Sequence, residues 1–368
     1  MPFEHLDRFR EPALARGLVE AIHREGAGRP PARIMEVCGT HTMAIARHGI
    51  RSLVKERVTL ISGPGCPVCV TPTGYIDAAV ELGRSGDAVL ATFGDMLRVP
   101  GSRTSLEKER GTGLDVRVVY SPLDAVRLAE SLPGREVVFL GVGFETTAPA
   151  IGGAILAAAA RGLDNFSVLP SLRTIPIAMG ALAADPEVGI RGFLCPAHVS
   201  AIIGVNAYRP VAREHRIPCV VAGFEPLDIL LGLRMLLRQI DREEARVENE
   251  YGRVATAEGN RKALALMAQV FSPCDAEWRG IGTIPGTGLS IAERYAAHDA
   301  LRKFGIRIRP GDGKSPCRCG DVLKGKITPR ECPLFGGGCT PASPVGPCMV
   351  SSEGSCAAYF KYGVDADG

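Results

Sequence analysis

One repeated pattern limits what this chain can fold into: a short apolar run, a glycine-rich turn, then a helical stretch. Arg33-Ile-Met-Glu-Val37 runs into Cys38-Gly-Thr-His-Thr42, and Val58-Thr-Leu-Ile61 runs into Gly63-Pro-Gly-Cys-Pro-Val-Cys69. Ala88–Phe93 leads to Gly94-Asp95, and Val116–Tyr120 precedes a helix from Pro122. The rhythm restarts at Glu136–Val142, which enters Gly143-Phe-Glu-Thr-Thr147 and an alanine-rich helix; Phe166–Pro170, Gly192–Cys195 and Pro218–Ala222 continue it. Unbroken apolar runs are strands covered on both faces, and helical crossovers between them make the strands parallel.

The fold class is therefore α/β, with two parallel-sheet α/β units flanking a cleft. The sequence places one unit at 32–133 and the second at 134–258, with the boundary at Pro133-Gly134. Residues 259–368 form a cysteine-rich third domain, with 1–31 expected to pack on it. Loops beyond the carboxyl ends of parallel strands collect functional groups. Cys38–Thr42, Gly63–Cys69, Gly94-Asp95, Gly143–Thr147 and Cys195–His198 all occupy such loops, so they should converge.

Six of the twelve cysteines lie in the tail, Ser315–Tyr362, among glycines and prolines that cannot build a hydrophobic core. Loops of this kind need a staple. Four soft thiolates suit an iron–sulfur cluster or a structural zinc. Six are two too many for one four-coordinate centre, which leaves a neighbouring redox pair.

Charge and hydropathy exclude other classes. The 43 basic and 40 acidic residues leave a net charge of +3, too small to indicate nucleic acid as a partner. The longest apolar run, around Ala148–Ala160, is too short to cross a membrane. Met1–Arg10 carries charges where a signal peptide needs an apolar core. With cysteines spaced for metal and redox work, the expected location is the cytoplasm.

The strand-end motifs point to thiol chemistry. Cys38 stands where a strand meets a helix start, beside amides that favour thiolate, and His41 is placed to polarise it further. The plainer reading is a small buried residue with Thr40 or Thr42 as a helix cap. Cys66-Pro-Val-Cys69 reads as a redox dithiol, in which one thiolate attacks and the second resolves; the alternative is half of a zinc site. Gly143–Thr147 lacks the lysine and the third glycine of nucleotide-binding loops, so Glu145 is either a base behind the site or a helix-start charge. His198 sits at a strand end and reads equally as functional or structural. Cys195, Cys219 and Cys274 fit no useful spacing and read as structural.

The spacing Cys317-x14-Cys332-x6-Cys339-x16-Cys356 resembles the cluster-binding tail of the HypD family of hydrogenase maturation factors. Cys319–Gly325, Glu331–Gly336, Pro344–Gly354, Cys38–Thr42, Thr92–Gly101 with Asp95, Gly143–Thr147 and Pro196–Ser200 are similar to HypD motifs as well. The likeness runs from Cys38 to Tyr362, with a departure at Pro176–Met179, where the family often has two prolines.

The resemblance implies a [4Fe–4S] cluster on Cys317, Cys332, Cys339 and Cys356, with Cys319 and Cys348 as a thiol/disulfide pair beside it. It implies that Cys38 binds the iron of an Fe(CN)2CO unit, shared with the partner HypC. HypE delivers cyanide as a thiocyanate, and the iron goes on to the [NiFe]-hydrogenase large subunit. Releasing cyanide from a thiocyanate takes two electrons, so the expected order is cluster, Cys319/Cys348, Cys66/Cys69, then Cys38. Asp95, Glu145 and His198 complete the candidate site. The competing reading is a stand-alone disulfide reductase resembling ferredoxin–thioredoxin reductase.

Overall fold

The structure, a computed structural model, describes residues 8–25, 27–86, 88–309 and 315–363. Residues 1–7, on which the leader argument rests, lie outside the described residues.

The strand-and-helix alternation produces two sheets. The first contains β1 (Ala32–Glu36), β2 (Val58–Ser62), β7 (Gly192–Pro196), β8 (Cys219–Ala222) and β9 (Val247–Asn249), in the order β2-β1-β7-β8-β9 and parallel throughout. The second contains β3 (Val89–Thr92), β4 (Val116–Val118), β5 (Val137–Gly143), β6 (Phe166–Arg173), β10 (Phe271–Trp278) and β11 (Gly282–Ile291), in the order β10-β11-β6-β5-β3-β4. Here β4, β3, β5 and β6 are parallel, and the β10–β11 hairpin adds antiparallel strands beyond β6. β5, Val-Val-Phe-Leu-Gly-Val-Gly, is buried at every position, as a central parallel strand must be.

The sheets do not divide at residue 133. β1 pairs with β7 and so carries β2 into the sheet of β7 and β8, while β3 pairs with β5 and carries β4 with it. The reason is burial: Ile34 and Leu60 share a core with Leu194 and Val220, whereas Val89 and Ala91 pack with Val137 and Phe139.

The chain ends also differ from expectation. Helix Pro12–Arg24 packs on helix Pro226–Asp241 rather than on the tail, with Ile22 buried against Leu233 and Leu237 of the same core. Residues 271–291 extend the second sheet, so 259–368 is not one separate layer. The cysteine-rich tail instead lies against the first sheet. Helix Ser355–Tyr362 packs on helix Gly39–Arg47, and Arg33 donates to the Gly325 carbonyl at 2.9 Å. The Arg51 guanidinium sits 5.2 Å from the centre of the Tyr359 ring.

Among the described residues, no helix is long and apolar enough to cross a membrane.

Candidate functional site

β1 ends at Glu36, and two residues later Cys38 caps helix Gly39–Arg47 in extended conformation. A wholly buried carboxyl sets this corner. Glu36 accepts the Cys38 N–H at 3.1 Å and the Thr42 hydroxyl at 2.6 Å, and burial raises its pKa to about 7. The loop after β2 presses in from the side, and a Cβ on Gly65 would overlap the Cys38 backbone. Only glycine allows that approach.

Cys38 is 2% exposed, and burial pushes its thiol up to about 12 even though the His41 amide at the helix start favours the thiolate. The amide effect expected from sequence is present, and desolvation outweighs it. The His41 side chain turns away from the sulfur. Its Nε2–H donates to the Gly223 carbonyl at 2.9 Å, and burial lowers its pKa to about 4. The imidazole beside Cys38 is that of His198, which opens to solvent after β7, with Nδ1 3.9 Å from Sγ.

The dithiol lies one loop away. Cys66 Sγ accepts the Cys69 N–H at 3.3 Å, and both residues are buried. The tail reaches this pair through Ser351, whose Oγ is 3.4 Å from Cys66 Sγ and 3.3 Å from Asp95 Oδ2. Two residues on, Glu353 accepts the Thr40 hydroxyl at 2.9 Å and lies against Gly39. One tail segment thus touches the loops of Cys38, Cys66 and Asp95 together.

The sulfurs form a continuous line. The Cys69 thiol has Cys66 and Cys348 as electrostatic neighbours; Cys348 has Cys319 beside it, and Cys319 has Cys317. All six tail cysteines, Cys317, Cys319, Cys332, Cys339, Cys348 and Cys356, line one small cavity with Val322, Leu334, Phe335 and Met349. Gly346 closes it, and a Cβ there would overlap Cys317 Sγ. The Val345 N–H points at Cys339 Sγ, 3.3 Å away. Among the described residues no three His, Cys, Asp or Glu side chains close on a single-ion point; the sulfurs surround a space instead.

Glu145 stands apart from the sulfurs. It is 2% exposed, its Oε1 accepts the Ile175 N–H at 2.8 Å, and Oε2 is without a partner. Burial raises its pKa from the ordinary 4.5 to about 7. Between those values the native state keeps a proton that the unfolded chain has lost, so stability falls as pH rises through the window. The cost is about 3 kcal/mol, as an order of magnitude. Glu36 and Glu250 shift in the same direction, so Glu145→Gln should make the decline shallower rather than remove it. Urea unfolding midpoints of variant and wild type from pH 5 to 7 measure this, and parallel declines would refute it.

The sequence brought Cys38, Cys66, Cys69, Asp95 and His198 to the same strand ends, and the structure joins them. It did not single out Glu36, Ser351 or Glu353. Glu36 carried a signal, being a carboxylate at the end of an otherwise apolar strand. Ser351 and Glu353 sit between Cys348 and Cys356 and signalled only as members of the Pro344–Gly354 motif.

The sequence model of the HypD family, described as the hydrogenase formation hypA family, matches residues 13–363. The chain is 47% identical over 367 residues to the hydrogenase maturation factor HypD of Azotobacter vinelandii, covering 98% of this chain and 97% of that one. It is 46% identical to HypD of Rhodobacter capsulatus, covering 96% and 97%, and 44% identical to HypD of Escherichia coli K12, covering 97% of each.

Proposed function

The chain belongs to the HypD family of hydrogenase maturation factors, and from that premise we propose that it is the scaffold on which the Fe(CN)2CO unit of [NiFe]-hydrogenase is assembled. In this reading it acts in the cytoplasm with HypC, which shares the iron, and with HypE, which supplies cyanide as a thiocyanate. The observation that carries the reading is the line of sulfurs from the six-cysteine cavity to Cys66, ending beside the loop that holds Cys38.

The cavity suits a resident [4Fe–4S] cluster: soft donors, apolar walls, a bare glycine against Cys317 and a backbone N–H aimed at Cys339 Sγ. Cys317, Cys332, Cys339 and Cys356 would hold it, and when bound it would supply electrons one at a time. Cys319 and Cys348 stand between it and the dithiol.

The thiols perform the exchange. Cys66 and Cys69 become a disulfide, releasing two electrons and two protons. The S–C bond of R–S–CN accepts the electrons and breaks to a thiolate and cyanide. One proton converts the thiolate to a thiol, and the other leaves as cyanide binds the iron on Cys38. Ser351 and Asp95 give the Cys66 proton a path outward through two contacts of 3.4 and 3.3 Å. A soft thiolate is the ligand that low-spin iron(II) with cyanide and carbonyl prefers, and Cys38 supplies it. Iron binding drives its proton off, as metal binding does at any thiol.

The test is anaerobic purification with a HypC partner, followed by infrared spectra across the cyanide and carbonyl stretches and iron analysis. Cyanide and carbonyl bands are the expected result. A protein with about four irons per chain and no bands overturns the scaffold reading in favour of a disulfide reductase.

A further inference from the structure

Five of the six tail cysteines are buried, and Cys317 is half-buried. Cys317 and Cys319 also line a second and larger cavity, of about 620 Å³, which opens to solvent and whose lining includes neither Cys66 nor Cys69. Glycines form part of its wall. Gly280 of the β10–β11 turn and Gly320 lie in contact there, and a Cβ on either would overlap the other. No side chain from those two residues screens the way to Cys319.

The walls carry charge of one dominant sign. Arg98, Arg103, Lys108 and Arg279 line the cavity against Glu107 and Glu277, four cations to two carboxylates. Arg279 is 9% exposed and fixed in place, its guanidinium donating to the Pro100 carbonyl at 2.8 Å. Arg98 pairs with Glu107 at 3.8 Å. Arg103 and Lys108 are exposed at the rim, and among the described residues neither has an ion-pair partner.

The exchange proposed above uses two electrons for each cyanide and leaves a disulfide. Restoring the dithiol needs two electrons and two protons from outside, and nothing in the thiol line supplies them. We propose that this cavity is the docking site of an acidic one-electron carrier protein, which reduces the tail centre through Cys317 and Cys319. The inference rests on the redox reading of the tail. Each docking event oxidises one carrier by one electron, so two events restore one dithiol. A surface of this kind needs only a small, weak, electrostatically steered contact, the usual form of electron-transfer encounters.

The probe is a reduced plant-type [2Fe–2S] ferredoxin of strongly negative charge, and the protein is the cluster-loaded full chain. Two quantities are measured at low and high salt: the dissociation constant, and the rate at which the ferredoxin bleaches the tail absorbance. Wild type should bind at low salt and lose binding as salt rises. Arg103→Glu with Lys108→Glu should weaken binding and slow reduction by about tenfold or more, while reduction by photoreduced deazaflavin stays unchanged. Equal binding and equal rates in the double variant overturn the docking site, as does wild-type binding insensitive to salt. A chain that lacks cluster absorbance altogether overturns the redox reading instead, and deazaflavin reduction separates the two failures.

Discussion

Replacing Cys38 by alanine is expected to give a folded chain that carries its normal tail iron and shows no cyanide or carbonyl bands. The fold should survive because the change removes one buried sulfur, leaving a small void worth about 1 kcal/mol. The backbone around Cys38 is held independently of that sulfur, by Glu36 on its N–H and by the Gly39 N–H to the Gly65 carbonyl at 3.1 Å. Tail iron should survive because its candidate ligands lie beyond the dithiol. The bands should vanish because, among the described residues, Cys38 is the thiol beside His198 at this corner. Cys38→Ser is the sharper control, since it keeps size and polarity but offers a hard, neutral hydroxyl where a soft anion is needed. Both variants should therefore fail together. Bands of wild-type intensity in either would mean that the iron is held elsewhere, and the scaffold reading would have to move with it.

How much of this was legible before the structure depends on which force decides each feature. Eight strands could be read from apolar runs bounded by glycine turns, because a buried parallel strand must be apolar on both faces. The placing of Cys38, Cys66, Asp95 and His198 at strand ends followed from the same reading, with the carboxyl-end rule. Sheet membership did not. Nothing local to β1 or β3 says that one will pair with β7 and the other with β5; that is settled by which apolar faces meet across the molecule.

β9, β10 and β11 escaped for local reasons. β9 is three residues long, and β10 contains Pro273 and a bulge between Cys274 and Ala276, features tolerated because it is an edge strand. The histidine exchange is similar. His41 is nearer to Cys38 in sequence, but the helix aims its ring at Gly223, and His198 arrives from a different strand. Spacing in sequence suggested the wrong imidazole, since helix geometry rather than proximity sets direction. The choice of cluster ligands and the partners came from family likeness, whereas the expected cytoplasmic location came from charge, hydropathy and cysteine use.

Cys69→Ala should stop cyanide transfer after a single turnover and leave the visible spectrum of the tail intact. Cys69 is the link in the sulfur line, within reach of Cys66 on one side and Cys348 on the other. It is fully buried, and burial raises its thiol well above the ordinary range, so it does not ionise on its own. Its work begins when Cys66 has been attacked or oxidised and needs a partner. Without Cys69 the exchange ends after one cyanide, because Cys66 attacking R–S–CN releases cyanide and is left as a mixed disulfide that no second thiol resolves. Hydrogenase maturation should fall by about a hundredfold or more, and mild oxidation should titrate two fewer thiols than in wild type. Cys66→Ala should match it in maturation but should also loosen Ser351 from Asp95, since the Ser351 hydroxyl accepts from Cys66 and donates to Asp95. If both variants mature hydrogenase at the wild-type rate, the dithiol is a packing element. The line of sulfurs would then be a consequence of burying ten cysteines in one chain, and the protein would act as an adaptor with a stabilising metal centre.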